Sequence, residues 1–176
     1  MDRYTAVRSF SSMNTALGYE MFAESQEQHR WLEQLVGQWR VEQECMESDK
    51  KTLMMSDMVC RMIGGLWLVS ENTGQSEKGG VWICIMTLGY DPQQNAYHGT
   101  FVGSMMTHLW QYRGQVDATG RRLPLATRGP RLEGSGQANY RDTVEIVSAD
   151  KWLFTGEMQQ EDGAWKRIMH STHSRI

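Results

Sequence analysis

The sequence predicts an all-β chain. About ten short antiparallel strands form a meander behind one short α-helix, and the meander closes into a barrel or folds into a sandwich. Three observations carry this. In "WLEQLVGQWRVEQEC" the apolar residues keep helical spacing as far as Val36, and beyond Gly37 the period becomes two and stays there. Alternating runs are separated by short polar links such as "ESDKK", "DPQQN" and "EDGAW". The 176 residues hold 17 glycines but only 3 prolines, with 40% hydrophobic residues, which suits one ordered domain with many turns.

Residues 1–25 show no period and form a flexible N-terminal arm; the domain spans 26–176. The helix runs over 26–36, with Ser25 as its cap and Gln28 completing a capping box. Trp31, Leu32, Leu35 and Val36 make its apolar stripe, and Gly37 ends it in a left-handed conformation. The first strand follows, with Trp39, Val41 and Cys45 on one face. Strands are then expected at 53–63, 66–73, 81–90, 96–102, 105–116, 121–127, 138–148, 152–160 and 164–174. Pro92 suits the second position of a turn, and Asp162-Gly163 is a hairpin dipeptide. "VWICIMTLGY" is apolar on both faces and so needs cover outside the sheet. The stripe of Trp31 and Leu35 supplies part of it, and a homodimer is the alternative.

Composition removes several function classes. A net charge of −3 argues against a nucleic-acid partner. No run of apolar residues is long enough for a membrane span, and the first residues do not read as a secretory signal. Three cysteines without a Cys-x-x-Cys suggest reduced thiols in a cytoplasmic protein and no metal site.

Gly37-Gln38-Trp39, opening the first strand after a helical turn, resembles the calycins: lipocalins, fatty-acid-binding proteins and their relatives. "EQHRWLEQLVGQW", "IGGLWLVSE", "MTLGYDPQQNAYHGT" and "YRGQVDATGRRLPL" follow in order. Together they resemble a bacterial family, known only as a domain of unknown function, that is thought to be lipocalin-like. The likeness spans roughly residues 26–175 and implies an up-and-down lipocalin-like β-barrel. It also implies that Trp39 closes one end of the barrel beneath an arginine, Arg167 or Arg175, gaining cation–π attraction.

Such a barrel can enclose one small ligand. Its expected lining is Met106, His108, Trp110 and Tyr112 on one strand and His98 and Thr100 on the next. Trp152, Phe154 and Met158 follow, then Ile168, His170 and Thr172 on the last strand. His108, Trp110, Tyr112 and His170 are the leading pocket residues, because a ring with one polar tip suits an aromatic or amphipathic guest. Nine methionines fall in or beside strands, Met54, Met86 and Met169 among them, and are read chiefly as gap-fillers. His170 and His173 are three apart and face opposite sides of their strand. No cofactor is expected; the alternative is haem on one of these two, as in nitrobindin-type barrels.

No nucleophile elbow or phosphate loop is present. Candidate proton carriers are His108, Asp57 and Asp142, since a carboxyl turned into an apolar barrel has a raised pKa. Arg113, Arg121, Arg122, Arg128, Arg131 and Arg141 either gather at one mouth or spread over the barrel ends. The resulting expectation is a binder of a small apolar or aromatic molecule. A cavity enzyme of isomerase, cyclase or hydrolase type is the alternative, and a filled interaction module is the third reading.

Overall fold

The computed structural model describes residues 23–47, 50–76 and 79–176. The arm expected over 1–25 lies outside them except for its last three residues. Among the described residues α1 (Glu27–Glu33) precedes ten strands. They are β1 (Gly37–Glu47), β2 (Lys50–Ile63), β3 (Trp67–Ser76), β4 (Gly80–Asp91), β5 (Ala96–Gly103), β6 (Trp110–Gly114), β7 (Arg122–Pro130), β8 (Gln137–Ser148), β9 (Lys151–Gln159) and β10 (Trp165–Arg175). Each strand pairs antiparallel with its neighbours in sequence, and β1 pairs with β10, so the sheet closes as a barrel rather than a sandwich.

The helix starts one residue later than expected and is shorter. Extended Gln26, not Ser25, is the cap, and its N–H donates to His29 Nδ1 at 2.9 Å, the role expected of Gln28. Burial decides this register, because His29 is 2% exposed and meets Tyr90 edge-on. Leu32 and Leu35 then enter the core with Trp39, Leu68, Leu88 and Leu123. Gly37 adopts φ +142°, and a Cβ there would overlap Arg175 Nη1. This turn sends α1 across the barrel end, where it packs on β3 and β4. The helix therefore does not cover the outer face of β4, and Val81 and Ile83 stay exposed there.

One strand is much shorter than its pattern suggests. The run expected over 105–116 enters the sheet only at Trp110. Before it, Ser104 N–H donates to Ile83 O at 2.8 Å and Met106 N–H to Gly103 O at 3.1 Å, which turns 104–109 out of the ladder. Those residues form a loop at the end opposite α1.

Candidate functional site

The end of the barrel beneath α1 is closed from the sequence upward. Trp39 Nε1–H donates to Leu35 O at 2.8 Å, tying the helix terminus to β1. Arg175 lies 4.1 Å over the indole, so of the two candidate arginines it is the last strand's Arg175 that caps it. Its Nη1 also donates to Val36 O at 2.9 Å, and Nε and Nη2 donate to Ala149 O. Trp152 meets Trp39 edge-on and stacks on His173, with ring centroids 3.4 Å apart. Burial pushes His173 down to about 3, so the ring is neutral at ordinary pH.

Above this floor the barrel is hollow. A cavity of about 520 Å³ is bordered by seven aromatic residues: Trp82, Phe101, Trp110, Tyr112, Tyr140, Trp152 and Phe154. Six methionines join them: Met54, Met58, Met86, Met105, Met106 and Met169. The volume falls within the range of small-molecule sites. Two indoles lie flat on glycines of neighbouring strands, Trp82 on Gly74 and Trp110 on Gly129, and a Cβ at either glycine would overlap the ring. Missing side chains thus set the width of the cavity. Met105, Met106 and Leu132 border its loop end.

The polar groups are few and placed. Tyr112 O–H donates to Asp142 Oδ2 at 2.6 Å, a bond between β6 and β8. Asp142 borders the cavity. Burial pushes its carboxyl up to about 6, against a smaller lowering by the Tyr112 hydrogen bond. Burial and the adjacent carboxylate hold the Tyr112 phenol protonated. Asn72 Oδ1, Trp82 Nε1 and Trp152 Nε1 border the cavity and are buried without a partner among the described residues. Burial also raises the Cys84 thiol, which lies 3.9 Å from Met105 Sδ.

Of the residues expected to line a pocket, Trp110, Tyr112, Met106, Trp152, Phe154 and Ile168 border the cavity. His170 and Thr172 do not. A β-bulge between Arg167 and Met169 places both Ile168 and Met169 on the cavity and reverses the alternation beyond them. Ser171 and His173 point in, while His170 lies outside against Thr155 Oγ1 at 3.0 Å. His98 and Thr100 are likewise outside, because Tyr97 and Phe101 take the inner face of β5, with Gly99 between them. Thr100 bonds Thr87 across that outer surface. His108 sits in the 104–109 loop, 3.2 Å from Arg128 O and edge-on to Trp110, and is a rim residue. Asp57 is exposed and ion-paired with Arg40 at 3.0 Å, so it is no proton carrier for the cavity. Asp142 alone of the three acid–base candidates faces inward.

The arginines do not ring one mouth. Arg141 pairs with Glu157 at 2.7 Å, Arg122 with Glu145 at 3.5 Å and Arg131 with Glu161 at 3.7 Å, spread over the outer surface. The methionines are used more fully than gap-filling implied, since six border one cavity. Sequence reading missed Asn72, Trp82 and Ser70 as wall residues. Their only signal was alternation, and strands apolar on both faces do not say which face is inside.

No group of three or more potential metal ligands occurs among the described residues. Of the two histidines considered for haem, His170 is outside the wall, and His173 borders the cavity, 2% exposed and stacked on Trp152.

Comparison with solved structures agrees with the barrel. The chain resembles Rv2717c from M. tuberculosis, with a TM-score of 0.61 and 10% identity over 87% of this chain and 99% of that one. It also resembles the S-type phycobiliprotein lyase CPES of Guillardia theta, with a TM-score of 0.56 and 14% identity over 84% and 91% of the two chains. At such identities the likeness concerns the fold. No curated protein matches the chain. The model of one family, described as a protein of unknown function (DUF1579), matches residues 24–175, and the chain belongs to that family.

Proposed function

We propose that this protein binds one small apolar or aromatic molecule inside its barrel. One observation carries the reading: a cavity of about 520 Å³ walled by aromatic rings and methionines, with a few convergent polar atoms, above a sealed floor. Apolar walls provide affinity, while unpartnered groups such as Trp82 Nε1–H and Asn72 Oδ1 orient a guest. Reduced, buried Cys60 and Cys84 suit a reducing compartment such as the cytoplasm.

Nile red, a neutral aromatic dye, tests this. Saturable fluorescence at one dye per chain, with quenching of the indoles, is the expected result. A rise that never saturates, or unquenched tryptophans, overturns it. A second reading has its own support: Asp142, pushed up to about 6 beside Tyr112, is a proton carrier for a cavity isomerase, cyclase or hydrolase. That reading requires turnover of some bound compound that Asp142→Asn abolishes while binding persists.

A further inference from the structure

We infer that the guest is a hydrophobic cation, an aromatic or aliphatic molecule with one protonated amine seated against Asp142. This rests on the cavity-binding reading above and deepens it to a chemical class.

The charge inventory points there first. Among the described residues bordering the cavity, Asp142 is the one carboxylate, and there is no lysine or arginine. Among the described residues its one hydrogen bond comes from Tyr112, a neutral donor. Arg141, next in sequence, faces outward and is held by Glu157 through two bonds of 2.8 and 2.7 Å. An ionised carboxylate in such a place lacks a counter-ion, and a buried charge is costly until it is paired. A guest ammonium supplies the missing charge. A carboxylate or phosphate guest would meet like charge with no cation to offset it, and a neutral guest would leave the defect as it stands.

The walls point the same way. Trp82, Trp110 and Trp152 offer indole rings to the cavity, and the negative face of an indole attracts a desolvated cation. On the opposite side of the barrel, five strands from β8, Asn72 on β3 holds a second acceptor without a partner. Carboxylate, indole faces and amide oxygen favour positive charge, while the unpartnered N–H groups of Trp82 and Trp152 are left for an acceptor elsewhere on the guest.

The test uses three probes of one shape: 1-naphthylmethylamine, 1-naphthalenemethanol and 1-naphthoate, titrated calorimetrically into the full chain at about pH 8, where Asp142 is ionised. The amine should bind at least about tenfold tighter than the alcohol, and the naphthoate weakest, as a charge-assisted bond predicts. Asp142→Asn, an isosteric change checked by thermal melting, should bring the amine to the level of the alcohol. In the unaltered protein, lowering the pH to about 5 should weaken the amine and spare the alcohol. Among the described residues bordering the cavity the other titratable groups do not change over that range: Tyr112, Tyr140 and Cys84 are all raised by burial, and His173 is held neutral. An amine that binds no tighter than the alcohol, in protein that binds Nile red, overturns the cation inference alone. Failure of all three probes and of Nile red overturns the cavity reading with it.

Discussion

Asp142 and His173 pull stability in opposite directions as pH changes. The Asp142 carboxyl is raised from 3.8 to about 6, so the native chain takes up a proton at a pH where the unfolded chain does not. Stability from this residue grows as pH falls from about 6 towards 3.8 and is missing above that window. Asp142→Asn should therefore stabilise the protein at neutral and alkaline pH by roughly 2 kcal/mol, measured by urea unfolding. His173 is lowered from 6.5 to about 3, so the unfolded chain takes up the proton first and stability is lost as pH falls below 6.5. With the carboxyl replaced, this loss stands uncompensated, and the Asp142→Asn variant should show a steeper acid decline between about pH 6 and pH 4 than the natural chain. Equal slopes would mean that the Asp142 carboxyl is not raised by burial as described. That Asp142 shares a strand face with Tyr140, Val144 and Ile146 was legible, but not that this face is the inner one. Its bond to Tyr112, 30 residues away, was not, because only barrel curvature brings β6 and β8 that close.

Among the elements, the junction of α1, β1 and β10 is where local sequence and long-range packing meet. Gly37 and Trp39 mark it in the sequence, and Arg175 completes it from the far end of the chain. Arg175→Lys keeps the charge but loses the planar fork that serves Val36, Ala149 and the indole together. The expected cost is about 1–2 kcal/mol, read from denaturant midpoints. The cavity wall offers a second check. Gly129→Ala would push Trp110 off its seat, and the indole has the cavity as its free space. Nile red affinity should fall by at least about fivefold with a small loss of stability; an unchanged affinity would show that Trp110 does not shape the wall. These strands also show where alternation misleads. In β10 a single bulge exchanges His170 for His173, and in β5 the small Gly99 blurs the inner face that Tyr97 and Phe101 define. Periodicity registers which residues share a face, and a bulge changes the partition without leaving a mark in composition.

The whole molecule depends on closure. Every contact between consecutive strands is local in sequence, except that β1 must find β10 across the full length of the domain. Deleting residues 165–176 would strip partners from β1 and β9 and uncover Trp39. Such a chain should show no cooperative thermal transition by near-ultraviolet circular dichroism, whereas a surviving sharp melt would mean that nine strands suffice.

By itself the sequence determined the meander, the helix that precedes it and the glycine at their seam. Each of these follows from spacing within a few residues, where periodicity and turn chemistry act. Only the tertiary structure decided that the sheet closes around a hollow, that Asp142 rather than Asp57 or His108 looks into it, and that Arg175 rather than Arg167 covers Trp39. Those outcomes depend on strand register, on one bulge and on the curvature of ten paired strands. They are sums over distant residues, which no local window of sequence contains.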